Sequence, residues 1–176
     1  MELDYVKEPF RSRIKKVVET LKSKKYKLIS GNYFDFDSGK VEGCCSVGFL
    51  ALNYYNTELE RDPTRSDEID TLLVEIVEHI AVPGVLIEYY QLRVERRNPG
   101  YLPVKTKDLS IEVREKLSRA FGKDNISNVS LVSLNDDGKL TKEELIDLLE
   151  NHPRALIRET AFIDSVENLQ SEDKPS

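Results

Sequence analysis

The chain has 176 residues, 39% of them hydrophobic and 33% charged, and a formal net charge of −6. A chain of that length buries roughly two thirds of the surface its unfolded form exposes, so a core forms without disulfide or metal staples. No apolar run approaches the roughly 20 residues of a membrane helix, "MELDYVKEPF" has no signal-peptide character, and the only cysteines, Cys44 and Cys45, are neighbours that backbone geometry keeps from bridging. These features predict a cytoplasmic protein with no membrane span and exclude a disulfide-framed secreted domain.

The charge is uneven. Residues 1–27 carry a net charge of about +5 and residues 133–176 about −6, so the two ends are suited to different partners or to each other. One α+β domain is expected over residues 1–164: a small, mainly antiparallel sheet packed against four to five helices. A mobile acidic tail is expected over 165–176.

The first element is an amphipathic helix from Pro9 to about Lys25, with Phe10, Ile14, Val17, Val18 and Leu21 on one stripe. Its other face holds Arg11, Arg13, Lys15, Lys16 and Lys22, which reads as a solvated face. Nucleic acid is not an expected partner, because no zinc finger or glycine-rich phosphate loop follows. "NYFDFDSGKV" predicts a hairpin around Asp37-Ser38-Gly39.

The nearly continuous apolar run "CCSVGFLALNYY" predicts a buried helix over about residues 45–55. Polar "NTELERDPTRS" predicts a loop, and Ser66 a cap for a helix that carries Ile69, Leu72, Leu73, Ile76, Val77 and Ile80 and stops at Pro83-Gly84. "VLIEYYQLRVE" reads as a strand. Ser110 caps a helix with Ile111, Val113, Leu117 and Phe121, which Gly122 ends in a left-handed conformation. "ISNVSLVSL" reads as a short strand, and Thr141 and Glu144 form a capping box for "KEELIDLLE", which "NHP" ends. Periodicity leaves "RALIRETAFI" open between strand and helix.

Three features carry candidate chemistry. Cys44 and Cys45 open a buried helix, where the dipole lowers a thiol pKa and favours a nucleophile, with His79 and His152 as the available bases. That placement is similar to papain-like hydrolases; the alternative is a pair of small buried residues. "SLNDDGKLTKEEL" aligns with a calcium loop beginning at Ser133, with Asn135, Asp137 and Glu144 at ligand positions, and equally with a turn and a capped helix that bind no metal. Tyr54, Tyr55, Tyr89, Tyr90 and Tyr101 are candidate partner-binding residues, since tyrosine is favoured at interfaces.

Taken together, "GCCSVGFLALNYY" and "LVSLNDDGKLTKEELIDLLE" resemble a scattered group of uncharacterised phage and bacterial proteins. The matching positions are Cys44, Cys45, Gly48 and Leu50, then Leu134, Asn135 and Asp136, with Ser46 standing where the group more usually has an apolar residue. The resemblance implies a shared fold, a phage or mobile-element origin, and proximity of Cys44 and Cys45 to Asn135 and Asp136.

No cofactor is expected. The leading expectation is a non-enzymatic module that binds a partner protein, such as a phage-encoded accessory or inhibitor acting on a host complex, with acidic nucleic-acid mimicry as one mode. The alternatives are a cysteine-dependent hydrolase or transferase using Cys44, Cys45, Asn135 and Asp136, and a calcium-binding module.

Overall fold

The computed structural model describes residues 1–81, 104–122, 131–136 and 139–163. The expected strand over 85–95, the tail over 165–176, and Tyr89, Tyr90, Tyr101 and Asp137 lie outside these residues.

The apolar stripe of the first segment forms helix α1, Phe10–Lys22, with Pro9 at its N-cap; Ile14, Val17, Val18 and Leu21 are buried. Three short strands follow: β1 (Lys27–Leu28), β2 (Phe34–Asp37) and β3 (Lys40–Cys44). The β2–β3 hairpin turns through Ser38 and Gly39, with φ of 52° and 79°, the primed geometry that matches strand twist and that glycine adopts freely. The sheet is mixed, in the order β1-β3-β2: β2 and β3 pair antiparallel and β1 adds to β3 in parallel.

The apolar run after β3 becomes helix α2, Ser46–Tyr54, whose residues from Ser46 to Leu52 are all buried. Burying side chains such as Phe49, Leu50 and Leu52 stabilises the fold by about 1.5–3 kcal/mol each, which makes α2 the central strut. Its C-terminal end widens into a π-helical turn, Tyr55–Leu59, closed by Glu60 at φ 53°. Helix α3 (Glu68–Ile80) buries Ile69, Leu73, Ile76, Val77 and Ile80. Helix α4 (Ile111–Phe121) is capped by Ser110, which accepts from the Val113 amide, and Gly122 follows at φ 83°, ψ 150°, a positive φ with extended ψ rather than the left-handed helical conformation.

Helix α6 (Lys142–Asn151) starts at the expected capping box of Thr141 and Glu144 and buries Leu145, Leu148 and Leu149. It packs against α1, which also contacts α2 and α3. The architecture is therefore α+β, with helices on helices and a small sheet at the α2 N-terminus.

Several expectations are corrected. The described part of the "ISNVSLVSL" segment is helical: α5 spans Leu131–Asp136. Its branched residues favour a strand locally, but Leu131 and Asn135, one helical turn apart, are both buried, and that shared face decides the conformation. Helix α1 stops at Lys22, three residues short of Lys25.

Asp67, not Ser66, occupies the N-cap of α3; the Ser66 hydroxyl instead donates to the Phe34 carbonyl and accepts from the Phe34 amide, fastening the hairpin to α3. "RALIRETAFI" forms two short 3-10 turns, Pro153–Ala155 and Glu159–Ala161. Phe162 then bridges antiparallel to Val6, with the Ile163 amide donating to the Tyr5 carbonyl at 2.7 Å. Among the described residues no helix is long and apolar enough to cross a membrane.

Candidate functional site

The double cysteine lies where β3 gives way to α2. Cys45 is the N-cap, its sulfur accepting from the Gly48 amide at 3.3 Å, and its own amide donates to the Tyr33 carbonyl at 3.0 Å. The loop before β2 lies so close to α2 that a Cβ on Gly48 would stand 2.2 Å from the Tyr33 carbonyl oxygen.

Both thiols are buried. Desolvation, reinforced by the neighbouring Cys45, pushes the Cys44 thiol up to about 12. Desolvation also pushes Cys45 up to about 11, against the lowering effect of the Gly48 amide and with a further rise from the Asp136 charge. Burial thus outweighs the helix dipole, giving the opposite of the depressed pKa that a thiol nucleophile needs.

Neither histidine serves the thiols. His79 contacts Asn53, Thr57, Glu58 and the Tyr54 ring, and the His152 ring faces Asp147 at 3.6 Å.

Asn135 and Asp136 do lie near this junction, as the Asp136 influence on Cys45 shows, but they hold the loop rather than a thiol. The Asn135 side-chain amide donates to the Ile29 carbonyl at 2.8 Å, and Asp136 accepts from the Gly31 amide at 3.2 Å. One turn earlier the Ser46 hydroxyl donates to the Leu131 carbonyl at 3.3 Å, pinning α5 to α2. Cys44, Cys45, Gly48, Asn135 and Asp136 form a latch that clamps the 29–33 loop over the start of α2.

The calcium reading fares differently from the capping reading. Asn135 sits in a helical turn with its amide turned to Ile29. Glu144 Oε1 accepts from Lys116 Nζ at 2.6 Å and from the Thr141 amide at 3.1 Å, contacts that hold its carboxyl below the ordinary value despite burial. An ammonium beside the last ligand position opposes a divalent cation, whereas the capping box is complete.

Of the candidate tyrosines, Tyr55 is corrected outright: it is fully buried, its hydroxyl donates to Glu68 Oε2 at 2.9 Å, and its ring meets Phe34 edge-on. Tyr54 is half-buried against the His79 ring, with centroids 5.6 Å apart.

A site absent from the sequence reading lies between α1 and the end of α2. Lys16, Glu19, Thr20 and Ser23 form one polar stripe along α1; Asn53, Asn56 and Thr57 face it from the α2–π junction, with Tyr26 and Leu52 between them. They line an open groove of about 510 Å³, within the roughly 300–1,000 Å³ range of ligand pockets. π-Helical turns are rare and recur at functional sites.

This turn is stabilised by its own side chains, Asn56 donating to the Leu52 carbonyl and Thr57 to the Asn53 carbonyl, each at 2.8 Å.

His79 supports the groove from below. Its Nε2 lies 2.9 Å from Asn53 Oδ1 and 3.3 Å from the Thr57 hydroxyl. Burial and the nearby Arg13 pull its pKa down to about 4, against the raising effect of Glu58, so the ring is neutral at physiological pH. Asn53 Oδ1 faces His79, and the Asn53 side-chain nitrogen has no partner among the described residues. Sequence pattern missed this groove because its lining comes from two stretches far apart in the chain, 16–26 and 52–57, made mostly of ordinary polar residues; the 16, 19, 20, 23 spacing was the available signal.

No family model matches the chain, and no curated protein or solved structure matches it.

Proposed function

We propose that this chain is a non-enzymatic protein-binding module of the cytoplasm, a phage-encoded accessory that engages a host complex through the groove between α1 and the α2–π junction. The observation that supports the reading most strongly is the groove itself: an open concavity of about 510 Å³ at a π-turn, with polar and apolar lining and hydrogen-bonding groups on both walls. The state of the cysteines supports it as well. Both thiols are buried in the latch and held in the protonated form, so the residues best suited to covalent chemistry serve packing.

The test is site-specific photo-crosslinking. A photoreactive residue at Ser23, on the exposed wall of the groove, is expected to give one saturable adduct with a host protein, and the same group at exposed Glu115 on α4 none. Equal labelling from both positions, or none from Ser23, contradicts the proposal.

A further inference from the structure

The basic residues of α1 and of the segment that follows it divide into two sets. Arg11 pairs with Glu8, Arg13 with Glu58, Lys15 with Asp4 and Lys22 with Glu150. Lys16, Lys24 and Lys25 have no carboxylate within ion-pair distance among the described residues, and Lys16 and Lys25 line the groove. Two of the three lysines between Lys16 and Lys25 that lack an ion pair therefore stand at one concave site, Lys25 also within the influence of the Asp62 charge.

The ammonium of Lys25 lies 5.2 Å from the centroid of the Tyr26 ring, a cation–π contact that orders the side chain at the groove mouth. From the opposite wall Asn53 offers its unpartnered NH2, and the Thr57 hydroxyl and Asn56 side-chain oxygen lie beside it. Two cations, a single carboxylate at Glu19 and a row of neutral hydrogen-bonding groups suit a ligand with a few carboxylates and a peptide backbone.

We infer that the groove between α1 and the α2–π junction binds a short acidic peptide segment of the partner protein, its carboxylates on Lys16 and Lys25 and its backbone against Asn53, Asn56 and Thr57. The inference rests on the binding-module reading and names the chemistry of the partner. Nucleic acid fits less well: it carries a charge at every nucleotide where the groove offers two lysines, and a chain of net charge −6 repels so dense a polyanion beyond the site.

The test is fluorescence anisotropy on the full chain, with a labelled eight-residue peptide of alternating Glu and Gly, the same peptide with Gln for Glu, and a short single-stranded DNA. Two exposed ion pairs lead to an expected preference of about ten-fold for the Glu peptide over the Gln peptide, lost in K16E/K25E and in high salt. The double variant K16R/K25R is expected to retain the preference. Circular dichroism and the melting temperature are expected to match wild type in both variants.

Equal affinity for the two peptides, tighter binding of DNA, no binding of either peptide, or an undiminished preference in K16E/K25E overturns the inference. If the Glu peptide fails while the Ser23 crosslink still forms, the acidic chemistry is wrong and the module stands. If both fail, both readings fall.

Discussion

The latch and the groove occupy opposite ends of helix α2 and are built on opposite principles. At the N-terminal end, Cys44, Cys45 and Gly48 meet α5 and the 29–33 loop so closely that hydrogen bonds and backbone contact leave no space for a ligand. At the C-terminal end the helix widens into a π-turn and the side chains draw back from α1, leaving an open polar surface. The conspicuous sequence motif lies in the closed region, and the open region has none. Rare residue types in this chain mark where packing is most demanding rather than where contact with other molecules takes place.

That contrast predicts a steep difference in mutational cost. Gly48→Ala forces a Cβ onto the Tyr33 carbonyl and is expected to cost about 3 kcal/mol or more, by overpacking against backbone that cannot yield; denaturant unfolding measures it. Asn135→Ala removes the bond to the Ile29 carbonyl and leaves that oxygen short of a partner, an expected loss of about 2 kcal/mol. Either result below about 0.5 kcal/mol breaks the picture of the 29–33 loop as clamped in place.

The groove side is tested by pH. Above the ordinary histidine value of 6.5 the His79 ring is neutral folded and unfolded, and its contribution is complete. As pH falls from 6.5 toward about 4, the unfolded chain takes up a proton that the folded chain refuses. Stability therefore declines across that window, by an expected amount on the order of 2 kcal/mol. His79→Gln, which retains an amide for Asn53, is expected to flatten the slope; an unchanged slope places the titration elsewhere.

The smallest expected stability change belongs to the groove charges. K16E/K25E is expected to unfold within about 0.5 kcal/mol of wild type, because neither lysine holds the core. The thiols sharpen the same contrast kinetically. With Cys45 at about 11, alkylation of the folded chain at neutral pH is expected to run roughly 100-fold slower than for a free thiol, and faster in Gly48→Ala as the latch opens.

Much of the fold was legible because its signals are local. Thr141 and Glu144 cap α6, Ser110 caps α4, and Asp37-Ser38-Gly39 turns the hairpin through contacts within four residues. The conformation of α5 was not legible, since it depends on Leu131 and Asn135 meeting α2 and Ile29 from far along the chain. Ser66 was misread for the same reason: a hydroxyl suited to an N-cap found Phe34 instead. Proximity of Asp136 to Cys45 was an expectation implied by the resemblance, but burial, which sets the thiol pKa, is a property of the packed chain.

An amide NMR titration of the full chain with the Glu-Gly peptide separates groove from latch residue by residue. Shifts are expected to centre on Lys16, Thr20, Tyr26, Asn53, Asn56 and Thr57, with Cys45, Gly48 and Asn135 unmoved. Shifts centred on the latch, with the groove silent, contradict binding at the groove.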